Sequence, residues 1–176
     1  MTESQSGPAT LRIEELIERY SGAGKCAADL LCDRHPPDAL AYRIVGKDLT
    51  TTDYSYGQLR AESEKFSAAL QALGVGPGDR VATLMGKSWS YLVTLMGIWR
   101  LGAVHVPLFT AFAPPAIALR LLGSNAKIVV CDVAQQPKLA PGEDIPAETP
   151  WQVITTGPAA DGALNFDSLL AAAKPG

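Results

Sequence analysis

Two glycine-rich segments suggest phosphate-binding loops, and neither fits the required pattern. The first reads SGAGK and ends at Lys25. A P-loop needs glycine where Arg19 stands and Ser or Thr where Cys26 stands. In the second, glycines at 74, 76 and 78 follow a helix pattern and open a strand, whereas a dinucleotide fingerprint follows a strand and opens a helix. We predict a linker and a helix-to-strand turn.

The other residues that could do chemistry also indicate structural roles. His35 and His105 are the two histidines, and neither has partners at metal-ligand spacing. No GxSxG nucleophile elbow occurs in the chain. The carboxylates at strand ends or joints are Asp53, Asp79 and Asp132, and turn or capping roles are usual there. Cys131, at a strand end, is predicted to be buried. The sequence therefore predicts no catalytic residue and no metal site.

The elements that would position any site alternate between helix and strand from 54 to 132. Ser55 and Gln58 have the spacing of a capping box, and the helix they begin is predicted to end at Gly74. Further helices are expected at 88–101 and from Pro114, with Ile117, Leu121 and Leu122 toward the core. Strands are expected at 80–84, 103–108 and 126–131. This alternation predicts an α/β fold, a mostly parallel sheet with helices packed on both faces.

The helix at 88–101 is apolar almost all round, so it must be covered on several sides. We expect the chain to supply little material for that cover. The run 89–109 is also long enough to cross a bilayer. Because Arg100 lies in its middle and His105 and Pro107 interrupt it, we predict no membrane span.

The flanking regions carry weaker patterns. We expect a disordered tail at 1–10, an amphipathic helix at 11–20, a short helix at 27–34 and an antiparallel hairpin of 39–45 with 51–54. Residues 133–164 are predicted to be mostly loop, exposed at 135–150, with one strand at 151–155. Asn165 is expected to cap a helix at 165–173 that buries Phe166, Leu169 and Leu170.

Composition narrows the class of protein. The chain has 176 residues, 47% of them hydrophobic and 19% charged, which is typical of a globular domain. A net charge of −3 provides no electrostatic footprint for nucleic acid. Three cysteines without a CxxC pair favour the cytoplasm, and no signal peptide is predicted. The sequence does not decide whether the protein forms a homo-oligomer.

Four stretches resemble the adenylate-forming superfamily, the acyl- and aryl-CoA synthetases and other AMP-binding enzymes. They read YSYGQL at 54–59, ALGVGPGDRVATLM at 72–85, GIWRLGAVHVPLFTAF at 97–112 and AIALRLLGSNAKIVVCD at 116–132. The resemblance implies that 11–176 is an incomplete N-terminal subdomain with its core at 24–132. The PLFTAF segment is more similar to acyl-CoA synthetases than to peptide-synthetase adenylation domains.

The resemblance also implies a reaction. Such enzymes join a carboxylic acid to AMP with ATP and Mg²⁺ and then transfer the acyl group to CoA. Their Ser/Thr/Gly-rich ATP loop, their metal-binding glutamate and their adenylation lysine have no counterpart in 1–176. We therefore expect an N-terminal fragment that is inactive alone, binds none of these ligands tightly, and has the remainder of the same enzyme as its partner. The alternative hypothesis is a stand-alone, non-catalytic module that binds a protein partner through its apolar helix.

One group of site residues follows from the resemblance. In the acetyl-CoA synthetase branch a Phe-Gly-Gly-Phe stretch contributes to the CoA site, and here it corresponds to Phe109, Thr110, Ala111 and Phe112. Thr110 and Ala111 replace glycines that allow close backbone approach. The family's arginines for the CoA phosphate would follow Asp132, where Gln135, Gln136 and Lys138 stand instead. The alternative for this stretch is a strand-to-helix connection packed by two phenylalanines.

Overall fold

The computed structural model describes residues 13–22, 25–159 and 162–174. Its helices are α1 (Ile13–Tyr20), α2 (Tyr56–Ala72), α3 (Trp89–Arg100), α4 (Pro114–Ser124) and α5 (Phe166–Ala172). Its strands are β1 (Leu40–Val45), β2 (Thr51–Ser55), β3 (Arg80–Leu84), β4 (Val104–Pro107), β5 (Ile128–Asp132), β6 (Gln152–Thr156) and β7 (Leu164–Asn165). The described residues also form a π-helical turn (Asp29–Asp33) and a 3₁₀ helix (Val133–Leu139).

Five strands form a parallel sheet in the order β4-β3-β5-β6-β7. In chain order this is 2-1-3-4-5, a doubly wound arrangement. The predicted hairpin is present as a separate antiparallel pair of β1 and β2. Alternate strand residues enter two different buried clusters: Val81 and Val130 pack toward α2, α3 and α5, while Ala82 and Val129 pack toward α4. The predicted α/β fold with helices on both faces of a parallel sheet is confirmed.

Helix α2 begins and ends as the sequence predicts. The Ser55 hydroxyl accepts the Gln58 N–H at 3.2 Å, and the Gln58 side chain accepts the Ser55 N–H at 2.8 Å. After the helix, Gly74 has φ = +83°, a conformation that other L-residues rarely adopt. Gly78 repeats it at +79° just before β3. The glycines at 74–78 are thus the helix-to-strand turn that was predicted.

Helix α3 is covered better than its composition suggested. None of its residues is exposed, and Val93, Met96 and Ile98 are buried. Its one charged residue, Arg100, forms an ion pair with Asp33 and donates to the Ser63 hydroxyl. The expectation that the chain would leave this helix poorly covered is wrong, because the Asp29–Asp33 turn and α2 close over it.

The region after β5 is more ordered than predicted. Residues 133–139 form a 3₁₀ helix, and Leu139 and Ile145 are buried within a segment that we expected to be exposed loop. Proline and glycine content predicts irregular backbone, but it says little about burial of the apolar residues between them.

The predicted core face of α4 is partly wrong, because Leu122 is 44% exposed. Helix α5 is capped by Asn165, whose side chain accepts the Ser168 N–H.

At the N-terminus, α1 has no buried residue, and Ile13, Leu16 and Ile17 are all exposed. The tail predicted at 1–10 lies outside the described residues. In place of the helix predicted at 27–34, two α-helical residues, 27 and 28, lead into the π-helical turn. In the part of the chain that the structure describes, no helix is both long and apolar enough to cross a bilayer.

Candidate functional site

Residues 109–112, which we call the aromatic loop, follow the carboxyl end of edge strand β4. The ladder ends where the Leu108 N–H donates to the Thr83 carbonyl at 2.9 Å. Pro114 then begins α4. The loop therefore lies at the carboxyl edge of a parallel sheet, which is where doubly wound folds bind their ligands.

The aromatic loop is a single turn with an exposed ring. The Phe112 N–H donates to the Phe109 carbonyl at 2.9 Å. The two phenyl rings meet edge to face, with centroids 5.2 Å apart and planes at 81°. Phe109 is 70% exposed, so most of this ring is open to solvent. A single exposed apolar side chain is common on protein surfaces, but this one lies at the edge of the sheet where doubly wound folds bind ligands.

The backbone of the loop does not need the glycines that the resemblance led us to expect. Among the described residues, the non-glycine positions with positive φ are Leu49 and Asn125. Thr110 and Ala111 therefore have ordinary backbone angles, and their side chains cause no strain there. Ala111 is exposed and Thr110 is half-buried.

Two cations flank the aromatic loop. The Arg120 guanidinium lies over the Phe112 ring at 4.2 Å, and its Nη1 donates to the Ala116 carbonyl at 2.8 Å. Lys138 Nζ donates to the Thr110 carbonyl at 2.5 Å, joining the loop to the 3₁₀ helix. The ion pairs in the described ranges are Arg43–Asp53, Arg60–Glu64, Arg100–Asp33 and Lys127–Asp79. Neither cation of the loop is neutralised by one of these carboxylates.

Sequence reasoning named Lys138 but missed Arg120. The cation at 138 falls in the segment after Asp132 where phosphate-binding arginines were expected. Arg120 is eight positions from Phe112, and only the direction in which the loop enters α4 brings them together. The signal available in the sequence was an arginine two turns into a helix that follows two phenylalanines. Gln135 does not join the site: its Oε1 is buried and has no hydrogen-bond partner among the described residues.

The crevice at the switch point of the sheet, between β3 and β5, is tied together by Asp132. Its Oδ2 accepts the Gly86 N–H at 2.6 Å, and its Oδ1 accepts the Thr156 hydroxyl at 3.4 Å. A carboxylate that links three strand ends in this way is structural, as predicted. Its negative charge also disfavours a phosphate at this position.

The remaining candidates are structural as well. Asp53 pairs with Arg43, and Asp79 accepts both the Gly76 N–H and Lys127. His105 Nε2 lies 2.8 Å from the Thr83 hydroxyl, and burial lowers the pKa of its ring. His35 stacks on Tyr56. Burial raises the pKa of the Cys131 thiol to about 11, so this cysteine is buried and unreactive as predicted.

A cavity of about 660 Å³ lies beside the 3₁₀ helix and β6. The described residues that line it, among them Pro137, Leu139, Thr149 and Val153, include no titratable side chain. Those residues therefore offer no general acid or base. Nor does any group of three His, Cys, Asp or Glu side chains that could hold a metal ion occur among the described residues.

The comparison with protein families decides what kind of protein this is. The family model described as "AMP-binding enzyme" matches residues 31–174, which includes the sheet and the aromatic loop. The chain belongs to the AMP-binding enzyme family.

Two relatives that the chain resembles in sequence are CoA ligases. The chain is 36% identical over 115 residues to an acetyl-coenzyme A synthetase of Shewanella pealeana, which is 63% of this chain and 18% of that protein. It is 35% identical over 88 residues to the long-chain-fatty-acid–CoA ligase FadD13 of Mycobacterium tuberculosis, 50% of this chain and 18% of the ligase.

A solved structure confirms the fold of this family member. The chain superposes on an acyl-CoA synthetase of Brucella canis with a TM-score of 0.82 and 32% identity, covering 94% of this chain and 31% of that one. The chain therefore spans about a fifth or less of these curated ligases and about a third of the solved synthetase.

Proposed function

We propose that this chain is the N-terminal part of an AMP-forming acid–CoA ligase and that it carries part of the CoA site. In the proposed reaction, a carboxylate oxygen of the acid bonds to the α-phosphorus of ATP, and pyrophosphate leaves. The thiol of CoA then loses its proton and attacks the acyl carbon, forming a thioester as AMP leaves. The observation that carries this proposal is the similarity to an acyl-CoA synthetase over 94% of the chain, at a TM-score of 0.82.

The aromatic loop is the part of the chain that we assign to CoA. Phe109 presents an exposed ring on which the adenine of CoA can stack, and an aromatic contact of that kind stabilises binding by about 1–3 kcal/mol per base. Thr110 and Ala111 form the turn between the two phenylalanines, where backbone can approach the ligand. Their ordinary φ angles support this role without glycine.

We propose no catalytic role for any side chain in the described ranges. The carboxylates, histidines and cysteines discussed above are ion-paired, hydrogen-bonded within the fold or buried. ATP, its Mg²⁺ and the pocket for the acid would then be bound by the remainder of the enzyme. It follows that this chain alone would be inactive and would bind none of the three substrates, ATP, the acid and CoA, tightly.

The stand-alone binding module is the weaker hypothesis. It relied on an apolar face of α3 that would be available to a protein partner, and no residue of α3 is exposed. Localisation in the cytoplasm remains a prediction supported by the three cysteines, all of which are free. Assembly into a homo-oligomer also remains a prediction.

The test is acid-dependent exchange of labelled pyrophosphate into ATP, which reports the first half-reaction and needs no CoA. It is run with a panel of carboxylic acids on the 176-residue chain and on the complete enzyme that contains it. We expect exchange by the complete enzyme only, and the acid that supports it identifies the substrate. Exchange by neither would contradict the ligase proposal, and exchange by the 176 residues alone would contradict their proposed inactivity.

A further inference from the structure

Helix α1 is amphipathic, and its apolar side has no cover in the described part of the chain. Apolar residues at positions i, i+3, i+4 and i+7 form one stripe along the helix; they are Ile13, Leu16, Ile17 and Tyr20. These four side chains are between 38% and 71% exposed, and no residue of α1 is buried. Single apolar residues at a surface are common, but a contiguous stripe on one helix indicates an interaction surface.

The helix is also too short to be stable by itself. It has eight residues, and isolated helices of fewer than about 12–15 residues are marginal in water. At the last residue of α1, the Arg34 guanidinium lies 5.9 Å from the centroid of the Tyr20 ring. This contact fixes one end of the helix and leaves its apolar stripe open. Because short helices owe most of their stability to packing of the apolar face, α1 needs a partner surface.

The polar residues of α1 indicate the charge of that surface. Glu14 and Glu18 lie one turn apart beside the apolar stripe, and a like-charged pair at this spacing destabilises a helix. A lysine or arginine at the rim of the partner surface would offset this repulsion. The charged residues of α1 are three glutamates and one arginine, so an anionic lipid surface would repel the helix.

The size of α1 favours a partner surface within the same polypeptide over a second copy of the chain. Eight residues make a helix about 12 Å long and about 10 Å wide, whereas a stable interface buries about 800 Å² on each partner. A segment of the same polypeptide needs less area, because the covalent link gives it a high effective concentration. This chain covers 31% of the solved synthetase, so a complete enzyme of that size has ample further surface.

We propose that α1 docks into an apolar groove, with at least one lysine or arginine on its rim, in the part of the enzyme that follows residue 176. The inference rests on the proposed function, in which this chain is the N-terminal part of a longer ligase. It adds to that function a surface through which the two parts associate. The family model begins at residue 31, so this contact would join a helix outside the matched residues to the remainder of the enzyme.

The experiment measures how fast a maleimide modifies a cysteine placed on each side of α1. Ile17→Cys lies in the apolar stripe, and Glu15→Cys, at an exposed position on the opposite side of the helix, is the matched control. Peptide mass spectrometry follows each position in the 176-residue chain and in the complete enzyme. We expect Ile17→Cys to react at least about tenfold more slowly in the complete enzyme than in the chain. Glu15→Cys should react equally fast in both, and the thermal midpoint of each variant checks that it is folded.

Other occupants of the stripe would give different results. Protection of Ile17→Cys that disappears when the complete enzyme is diluted about a hundredfold would assign the stripe to a second copy. Protection that requires added vesicles of phosphatidylcholine and phosphatidylglycerol would assign it to a membrane. Either result, or equal rates in the chain and in the complete enzyme, would overturn the proposal.

The charge of the groove is tested by adding Glu18→Lys to the Ile17→Cys enzyme. We expect labelling at position 17 to become several-fold faster, because a lysine would face the cation on the rim, and Glu18→Gln should have a smaller effect. Unchanged labelling with Glu18→Lys would contradict the basic rim.

The docking of α1 and the proposed function can fail separately, because labelling needs no turnover. Protection of Ile17→Cys in a complete enzyme that shows no pyrophosphate exchange would contradict the ligase proposal alone. Exchange without protection would contradict the docking of α1 alone.

Discussion

The ion pair of Arg100 with Asp33 is the interaction that we expect to contribute most among the charges of this chain. Arg100 Nη1 lies 2.7 Å from one Asp33 oxygen and Nη2 lies 2.5 Å from the other, a bidentate arrangement. Only 12% of the arginine side chain and 20% of the aspartate side chain are exposed. The pair joins α3 to the Asp29–Asp33 turn that covers it, so its loss should open that contact.

The magnitude follows from the burial. Hydrogen bonds to charged groups contribute about 1.5–3 kcal/mol each, and the cost of desolvating both ions offsets part of the sum. After a further discount for the remaining exposure, we expect a coupling energy of about 2 kcal/mol from a double-mutant cycle with Arg100→Met and Asp33→Asn. Urea unfolding of the four proteins at pH 7 measures it. The hydrogen bond from Arg100 to Ser63 is lost in both arms and cancels.

The control is the pair of Arg43 with Asp53, which is also bidentate, through Nε and Nη2 at 2.6 Å each, but has side chains 57% and 47% exposed. Its cycle should show little coupling because water and salt screen the charges. Equal coupling energies for the two pairs would refute the reasoning, since burial would then not be the cause.

The coupling energy of Arg100 with Asp33 should also depend on pH. Burial raises the pKa of Asp33, but the hydrogen bonds and charge of Arg100 outweigh this effect and lower it below its ordinary value of 3.8. A carboxylate whose pKa is lowered in the folded state contributes stability above its unfolded pKa and loses it as the pH falls through the folded value. The coupling should therefore be constant from pH 7 to about 5 and decline below the unfolded value of 3.8.

Three further outcomes are expected. Ser55→Ala removes the acceptor of the α2 capping box and should lower the free energy of unfolding by about 1 kcal/mol; no change in urea unfolding would contradict the cap. Gly97→Ala would place a Cβ 2.8 Å from Cδ1 of buried Phe66, and overpacking less the gain in helix propensity predicts a net loss of about 1 kcal/mol. A thermal midpoint at or above the wild-type value would count against this close approach. Iodoacetamide should modify half-buried Cys26 well before buried Cys131, and mass spectrometry that finds the reverse order would disprove the burial.

Local chemistry made much of the fold predictable. The capping box at Ser55 and the glycine at 74 are short-range signals, and they marked the beginning and end of α2. Strands β3 and β5 are short and mostly apolar, and they lie between turn residues, which is the pattern of a parallel strand covered on both faces. The family was also predictable, because the stretches that resemble adenylate-forming enzymes lie within the residues that the family model matches.

What could not be predicted depends on contacts between distant residues. The cover of α3 comes from Asp33 and Ser63, which are 67 and 37 positions from Arg100. The burial of Ile145 likewise depends on how a proline-rich segment packs against the face of the sheet that carries α4. No periodicity in the sequence indicates that packing. Arg120 was missed for a similar reason, since its contact with Phe112 is set by the turn and by the two prolines at the start of α4.

The most direct test of the CoA site is the KM for CoA of Phe109→Ala in the complete enzyme, with Leu119→Ala as its control. The two side chains are almost equally exposed, at 70% and 71%, but only Phe109 belongs to the aromatic loop. Loss of one stacked base predicts a rise in KM of roughly tenfold for Phe109→Ala, with acid-dependent pyrophosphate exchange retained. Leu119→Ala should leave KM unchanged. If the two variants have the same KM for CoA, the aromatic loop does not bind CoA, and the central claim is contradicted.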